Sequence, residues 1–448
     1  MVTTVQLSAP AVRPKVVART GLHAVLAANV VVVTALFVQS GQSANALILL
    51  GRLAGLYGAL LMAFQLLLVA RLPWLDRRLG MDRLTSWHRW VGFSLLVTLV
   101  AHAVLIVSGY AEVTSLPPVD ELVTMATTLE GVLRAVVALL LILVVGGLSA
   151  RFARRRMAYE TWHFVHLYAY IAVFLAFSHQ IGLGGTFTSS PVATAYWWGL
   201  WGFALGAVLA GRLVLPLWRN LRHRLRIAAV VPESDDVVSI YITGRDLHRL
   251  PARAGQFFLW RFLTRDRWWQ ANPFSLSAAP DGRHLRLTVK ALGAGSASLR
   301  ALKPGTRVFA EGPYGAFTAM HRTRPHTVLV AGGVGITPVR ALLEELRGHV
   351  VVIYRVSRPQ DAVLLHEMRD LAQARGAVLH VVSGPSNAPT PHGPPLGARA
   401  LAAAVPDIRD RDVFVCGPPG MTGAVLQGLR ELGVPKRQVH AERFSLAS

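Results

Sequence analysis

Histidines in apolar surroundings are the residues of this chain whose type and spacing point most directly to chemistry. Trp87 to Gly109 holds His88 and His102, and Trp162 to Leu183 holds His163, His166 and His179. Ionisable side chains are rare in hydrocarbon, and those found there usually face a bundle interior or a cofactor. Neutral imidazole is a common ligand of haem iron. On a helix the step from His88 to His102 is about 21 Å of rise and close to four whole turns, so both rings share one face and one helix can hold two stacked haems. The step from His166 to His179 has a similar rise, about 20 Å, with an angular offset of roughly 140°. Taking His163 in place of His166 gives about 160°. Neither pair lies on one face without a bend or a bulge. The axial match favours His166 and leaves His163 as the alternative. Any one of these histidines could serve as a cap or an interhelical hydrogen bond; four at matched depths favour metal ligation.

The elements that would position these rings are long and apolar. The chain has 448 residues, is 53% hydrophobic and carries a formal net charge of +22. Its mean hydropathy is +0.43, too apolar for an ordinary soluble protein. Six segments are long enough to span a bilayer: Gly21 to Val38, Ala46 to Ala70, His88 to Gly109, Val132 to Ala150, Trp162 to Leu183 and Tyr196 to Leu217. Basic residues occupy alternate connections. Arg13, Lys15 and Arg19 precede the first span, and Arg71, Arg77, Arg78 and Arg83 follow the second. Arg151, Arg154, Arg155 and Arg156 precede the fifth, and the run Arg219 to Arg226 follows the sixth. The other connections, Gln39 to Asn45, Tyr110 to Glu130 and Gln180 to Ala195, contain neither Lys nor Arg. By the positive-inside rule both termini are expected in the cytoplasm of a multi-pass membrane protein. The same distribution argues for contact with anionic lipid and against nucleic-acid binding, because the basic residues alternate with spans rather than with a stacking platform. No cleavable signal peptide is expected, because the N-terminal stretch from Met1 to Thr20 is mixed in character.

Beyond about Arg226 the texture changes to short alternating runs broken by Gly and Pro, as in Val237 to Thr243, Gln256 to Phe262 and Leu285 to Val289, which predicts a small antiparallel barrel or sandwich. From Thr327 strands alternate with helices: Thr327 to Ala331, Val350 to Tyr354, Val378 to Val382 and Val413 to Cys416 read as buried parallel strands of an α/β domain. Between the first of these strands and a helix stands Gly332-Gly333-Val334-Gly335-Ile336-Thr337-Pro338. Backbone amides at such a helix start can meet a pyrophosphate, although the spacing differs from the dinucleotide fingerprint. Gly293-Ala294-Gly295-Ser296 is a second candidate phosphate turn, with free amides expected at its start. At the next strand end Arg355, Ser357 and Arg358 are placed to grip a 2′-phosphate, which favours NADPH while leaving NADH open. The one cysteine, Cys416, excludes an intrachain disulfide and any cysteine-based zinc or iron-sulfur cluster. Ser383 to Gly397, with five prolines, reads as a loop.

Four signatures in order carry a resemblance: Asn272-Pro273-Phe274-Ser275-Leu276-Ser277, Gly312-Pro313-Tyr314-Gly315, Ala331 to Pro338, and Cys416-Gly417-Pro418-Pro419-Gly420-Met421. They resemble ferredoxin-NADP reductase-type modules. With the six spans and their histidines, residues 21 to 448 resemble the ferric reductase and NADPH oxidase superfamily. The resemblance implies a cytoplasmic tail over 1–20, a six-helix haem domain over 21–218, an antiparallel FAD-binding barrel over 222–320 and an α/β NAD(P)H domain over 325–448. It implies FAD held by Asn272, Pro273, Phe274, Ser275, Ser277, Gly293, Gly295 and Ser296, with the Ser275 hydroxyl near the reactive flavin nitrogen. Relatives usually carry His or Arg where this chain has Asn272. NADPH is then bound by Gly332, Gly333, Gly335, Thr337, Arg355, Arg358, Gly417 and Pro418. Cys416 lies by the nicotinamide, and Glu442-Arg443-Phe444 is similar to the acidic-x-aromatic ending whose ring stacks on the flavin; here the chain continues past Phe444 to Ser448. Electrons are expected to pass from NADPH through FAD to an inner haem b on His88 and His166, then to an outer haem b on His102 and His179, and out to oxygen or a ferric chelate. The outer connection Tyr110 to Glu130 carries Glu112, Asp120, Glu121 and Glu130 without a coordinating pattern. The alternative is a haem-free membrane anchor whose reductase serves a partner protein.

Overall fold

The computed structural model describes residues 14–41, 45–150, 153, 156–157, 159–385 and 394–443. Expectations resting on the chain before Pro14, on Arg151, Arg154 and Arg155, on part of the proline-rich loop and on Phe444 lie outside them. Two compact units result: one of Ala18–Leu72 with Arg83–Arg212, the other including Pro73–Asp82 and the chain from Leu213 onward.

In the first unit the described residues hold six helices long and apolar enough to cross a membrane. They belong to α1 (Pro14–Gln39), α2 (Ala46–Val69), α4 (Met81–Thr114), α6 (Val132–Ser149), α7 (Tyr159–Leu183) and α8 (Pro191–Leu209), the last continued by a π-turn over Ala210–Val214. Helix α3 (Pro73–Leu79) lies between α2 and α4, and α5 (Pro118–Thr128) follows α4. In hydrocarbon every backbone amide must be satisfied within its own segment, which is why apolar runs of this length become helices. Asn45 starts α2 by accepting the amides of Leu47 and Ile48 at 2.9 and 3.0 Å. The connection expected as an irregular acidic loop contains α5, opened by proline with Asp120 and Glu121 in its first turn. Glu121 is buried and accepts the Thr114 hydroxyl at 2.7 Å.

Helix α2 is the most buried span, and its Leu56, Ala59, Leu60, Met62 and Ala63 pack with Val33, Phe37, Trp197 and Trp201. Lipid is as apolar as leucine, so helices associate in it through close packing of small residues. Gly51, Gly55 and Gly58 supply that seam. A Cβ on Gly51 would stand 2.9 Å from Ile106, one on Gly55 2.7 Å from the His102 ring, and one on Gly58 2.8 Å from Leu99.

The second unit contains α9 (Leu215–His223) and two three-stranded antiparallel sheets, ordered β1-β2-β5 and β4-β3-β6. These are β1 (Arg226–Pro232), β2 (Val237–Thr243), β3 (Phe257–Phe262), β4 (Asn272–Ser275), β5 (His284–Lys290) and β6 (Val308–Tyr314). Bridges Arg226↔Arg307 and Leu276↔Leu287 lie outside the named strands, and Ile240, Ile242, Phe258, Trp260, Phe262 and Leu287 fill the core. Next come β7 (Thr327–Gly332), β8 (Val350–Val356), β9 (Val378–Ser383), β10 (Asp412–Gly417) and β11 (Val439–Arg443) in a parallel sheet of order β11-β10-β7-β8-β9. Strands β7, β8 and β10 are buried along their whole length, which explains their unbroken Val, Leu and Ile content. Helix α11 (Ile336–Glu345) follows β7, α12 (Leu365–Arg375) follows β8, α13 (Ala398–Ala404) precedes β10 and α14 (Pro419–Glu431) follows it. The short helix α10 (Ala294–Ala297), a single turn, precedes β6.

Helix α3 packs as part of this second unit. The Asp76 carboxylate, 1% exposed, accepts the Gly315 amide at 2.7 Å, and His321 Nε2 donates to the Arg77 carbonyl at 2.8 Å. Asn220 of α9 brackets Ala310 with two bonds of 2.8 Å. An amide stripped of its buried acceptor costs about 1–3 kcal/mol. Asp76→Ala is therefore expected to accelerate hydrogen exchange of the 312–318 turn by about tenfold or more, read by mass spectrometry, with exchange in β7 and β10 unchanged.

Candidate functional site

In open parallel sheets, ligands bind beyond the carboxyl ends of the strands where the chain order reverses. Here that point lies between β7 and β10: from β7 the chain winds outward to β8 and β9, then returns to β10 and β11 on the other side. Gly332 ends β7 with Gly333 following it, and Cys416 and Gly417 end β10 with Pro418 following them. The two turns touch. A Cβ on Gly417 would lie 2.6 Å from Met421 Cε and 3.1 Å from Gly332 Cα, while one on Gly335 would run into the Cys416 carbonyl. Gly333 differs, because its φ is +53° and nothing stands within 4 Å of its would-be Cβ. It opens the turn to solvent at the start of α11, where the amide ends and helix dipole suit a pyrophosphate. Thr337, one residue into that helix, is buried and donates to the Val334 carbonyl at 3.0 Å. Cys416 is fully buried at the strand end.

Strand β4 pairs with β3 so that Ser275 faces Phe257 and Phe274 faces Phe258. Ser275 Oγ is buried with no hydrogen-bond partner in the structure. A buried hydroxyl without a partner calls for an explanation, and a flavin edge fits it. Glu442 comes to the same neighbourhood: its Oε1 stands 3.3 Å from a would-be Cβ on Gly315.

Inside the membrane unit the His88 and His166 rings face each other with centroids 6.0 Å apart at 63°. His166 Nδ1 bonds Ser149 Oγ at 3.1 Å, and that hydroxyl also accepts Trp162 Nε1 at 3.2 Å. Gln65 donates to the His88 carbonyl at 2.9 Å and lies 3.4 Å from His88 Nε2, while His88 Nδ1 is buried without a partner. His102 Nδ1 bonds the Gly51 carbonyl at 2.8 Å; a carbonyl only accepts, so the proton sits on Nδ1 and Nε2 keeps its lone pair. His179 lies beside the turn before α6, with its Cα 3.7 Å from a would-be Cβ on Gly131. Among the described residues no group of three or more His, Cys, Asp or Glu gathers around one point. Paired imidazoles on opposite helices suit a macrocyclic iron, which brings its own equatorial ligands.

Comparison with known proteins agrees with this geometry. Residues 54–177 match the family described as ferric reductase like transmembrane component, and residues 329–427 match the oxidoreductase NAD-binding domain. Ferredoxin--NADP reductase B of Sorangium cellulosum is 32% identical over 189 residues, 38% of this chain and 77% of that protein. The chain belongs to the ferric reductase-like superfamily with a ferredoxin-NADP reductase-type module. A flavohemoprotein of Burkholderia sp. (strain TH2) is 30% identical over 242 residues, 52% of this chain, and the chain spans 61% of that relative's length. The solved flavohem-like FAD/NAD binding domain of nitric oxide dioxygenase from Vibrio cholerae is 25% identical, with 50% of this chain and 99% of that one covered at a TM-score of 0.39. This ferric reductase-like protein is thus a multi-pass membrane oxidoreductase with an FAD and NAD(P)H module.

Several residues expected at ligands have other partners. Ser277 is fully buried, its Oγ bonded by Arg286 Nε at 3.0 Å and Thr288 Oγ1 at 2.8 Å. Burial by itself would lower the Arg286 guanidinium, but bonds from Glu367 and Tyr241 outweigh it and raise it. Arg355 points into the protein and donates to the carbonyls of Val356, Val382 and Gly384. Arg358 remains at the surface with a side chain 68% exposed, 3.1 Å from Asp361, whose carboxyl it holds below its usual range. The Asn272 amide holds the Trp260 and Gln270 carbonyls at 3.2 and 3.3 Å, which makes it a loop fastener. At Gly293 to Ser296 the Ser296 hydroxyl caps the amides of Leu292 and Gly293 at 2.9 and 3.2 Å, and Gly295 is open. Arg52 was overlooked in the sequence although an arginine within an apolar run is itself a signal. It lies over the Phe37 ring and donates to Ser40 Oγ and Thr186 Oγ1 at 3.3 Å, next to Gly51, which holds His102.

The open space at Gly333 yields a test. A side chain there meets no atoms but must adopt a left-handed backbone at about 1–2 kcal/mol. Gly333→Val is expected to raise the KM for the nicotinamide nucleotide by about tenfold or more in a ferricyanide assay, while the melting temperature falls by only a few degrees.

Proposed function

We propose that this protein passes electrons from cytosolic NADPH across the membrane to oxygen or a ferric chelate on the far side. The observation that carries the reading is the opposed pair His88 and His166 at 6.0 Å inside two spans. Two imidazoles at that separation would be able to hold one iron between them. When bound, NADPH and FAD supply hydride chemistry and its division into single electrons, and two b-type haems supply carriers through the apolar layer.

The chain's own residues hold and orient these groups. His88 and His166 would ligate one haem, with Ser149 fixing the His166 ring, and His102 and His179 the other, with the Gly51 carbonyl leaving His102 Nε2 to iron. Two imidazoles on one haem would leave its iron without an open site, a ligand set that would suit electron transfer rather than oxygen binding. Basic connections alternating with ones that lack Lys and Arg support cytoplasmic termini. Arg52, held by hydroxyls near His102, gives that end of the unit a cation able to attract an anionic acceptor.

The test is an absorbance spectrum of the purified full-length protein in detergent without air, before and after NADPH. Reduced b-type haem bands together with flavin bleaching are expected. Bleaching without haem bands would shift the function to a membrane-anchored NAD(P)H-flavin reductase serving a partner protein. His102→Ala is expected to abolish reduction of an external acceptor in proteoliposomes while flavin reduction by NADPH stays within about twofold; retained external reduction would exclude His102 as a ligand. Arg358→Ala should raise the KM for NADPH by about tenfold, the worth of one charge-assisted hydrogen bond, and leave that for NADH unchanged.

A further inference from the structure

Four charged side chains meet where the antiparallel barrel packs on the α/β domain. Arg286 of β5 and Arg340 of α11 are 6% and 7% exposed. Arg286 Nη1 donates to both Glu367 oxygens at 2.9 and 3.0 Å, and Arg340 Nη2 lies 2.6 Å from Glu367 Oε1 and 2.7 Å from Glu344 Oε1. Both arginines also converge on one backbone atom: the Ser277 carbonyl accepts Arg286 Nη2 at 2.8 Å and Arg340 Nη1 at 3.1 Å. The other Glu344 oxygen takes the Ala279 amide.

Two buried guanidinium groups are costly unless compensated, and replacing such networks by apolar residues often stabilises a protein. Stability is therefore a weak reason for this network, and its position suggests another. Ser277 lies two residues beyond Ser275, whose buried Oγ is orphaned at the flavin edge. Arg340 lies one turn beyond Thr337 on the helix whose first residues form the nucleotide turn. The network thus joins the loop that would carry the flavin to the helix that would carry the nicotinamide nucleotide.

We propose that Glu367 is a positioning residue: by bridging Arg286 and Arg340 its carboxylate fixes the distance between flavin and nicotinamide at which hydride passes. This rests on the FAD and NADPH reading above. Glu367 touches neither ligand and acts through the Ser277 carbonyl and the axis of α11. Misplacement by about 1 Å costs a transfer reaction about a hundredfold, so loss of one bridging charge is expected to act on rate rather than affinity.

The experiment is anaerobic stopped-flow reduction of the flavin in the full-length protein by NADPH and by NADPH deuterated at the transferred position. Glu367→Gln keeps the size and removes the charge; Glu367→Asp keeps the charge. Glu367→Gln is expected to lower the limiting rate about tenfold or more, with the Kd for NADPH within about twofold, bound FAD at parent stoichiometry and a larger deuterium isotope effect. Glu367→Asp is expected to recover part of the rate. A limiting rate for Glu367→Gln within about twofold of the parent, or one that falls only in proportion to bound FAD, overturns the positioning role. A parent protein whose flavin NADPH does not reduce overturns the underlying reading as well, and so the two failures are separable.

Discussion

The contact between α2 and α4 is the constraint on which the membrane unit depends. Three glycines on one face of α2 let the backbones approach until the Gly51 carbonyl reaches His102 Nδ1 at 2.8 Å. A carbonyl already bonded within its helix still has a lone pair to offer, and only a small residue brings it within reach. The same approach orients the ring, fixes its tautomer and joins the two helices without any hydrophobic drive, since lipid supplies none. An alanine in place of Gly55 would press on that imidazole. Packing and ligand chemistry at this depth are one interaction.

The reductase unit meets an equivalent demand with different means. Its two turns at the switch point approach so closely that Gly332, Gly335 and Gly417 are fixed by their neighbours, while Gly333 and Gly420 face open space. Three glycines of the nucleotide signatures therefore serve strand and helix packing, and Gly333, at the start of α11, leaves the way clear for a ligand. Helix α3 adds a further tie, since Asp76 reaches the Gly315 amide beside the Glu442 carboxylate. A segment adjoining two spans is in this way part of the reductase fold.

The large elements were legible because solvent imposes them. Runs of about 20 apolar residues become helices in lipid, and unbroken Val and Leu strands mark a sheet covered on both faces. The α/β strands accordingly lie within one or two residues of their expected bounds, as for Val350–Val356 and Asp412–Gly417. Short elements were not legible. Helices α3 and α5 are too brief to carry a periodic signal, and β4 and β6 were read as loop signatures because Gly and Pro punctuate them. The Gly51, Gly55 and Gly58 seam was present in the sequence as a small-residue spacing and could have been found.

Polar site residues were harder to place than apolar ones for a physical reason. Sequence tells what a side chain can donate, but burial decides which acceptor takes it, and a buried donor bonds the nearest carbonyl rather than wait for a ligand. Arg355 looked like a phosphate clamp and binds three carbonyls; Ser277 looked like a flavin contact and anchors Arg286. Ser275 is the informative converse, because its hydroxyl is buried among groups that leave it unbonded. Thr318 and Thr327 also keep unbonded hydroxyls, and what distinguishes Ser275 is its place in the Asn272 to Ser277 signature. By the same logic the histidines divide by what their second nitrogen touches: His102 and His166 each have Nδ1 engaged by the protein, which leaves the opposite nitrogen as the chemically available one.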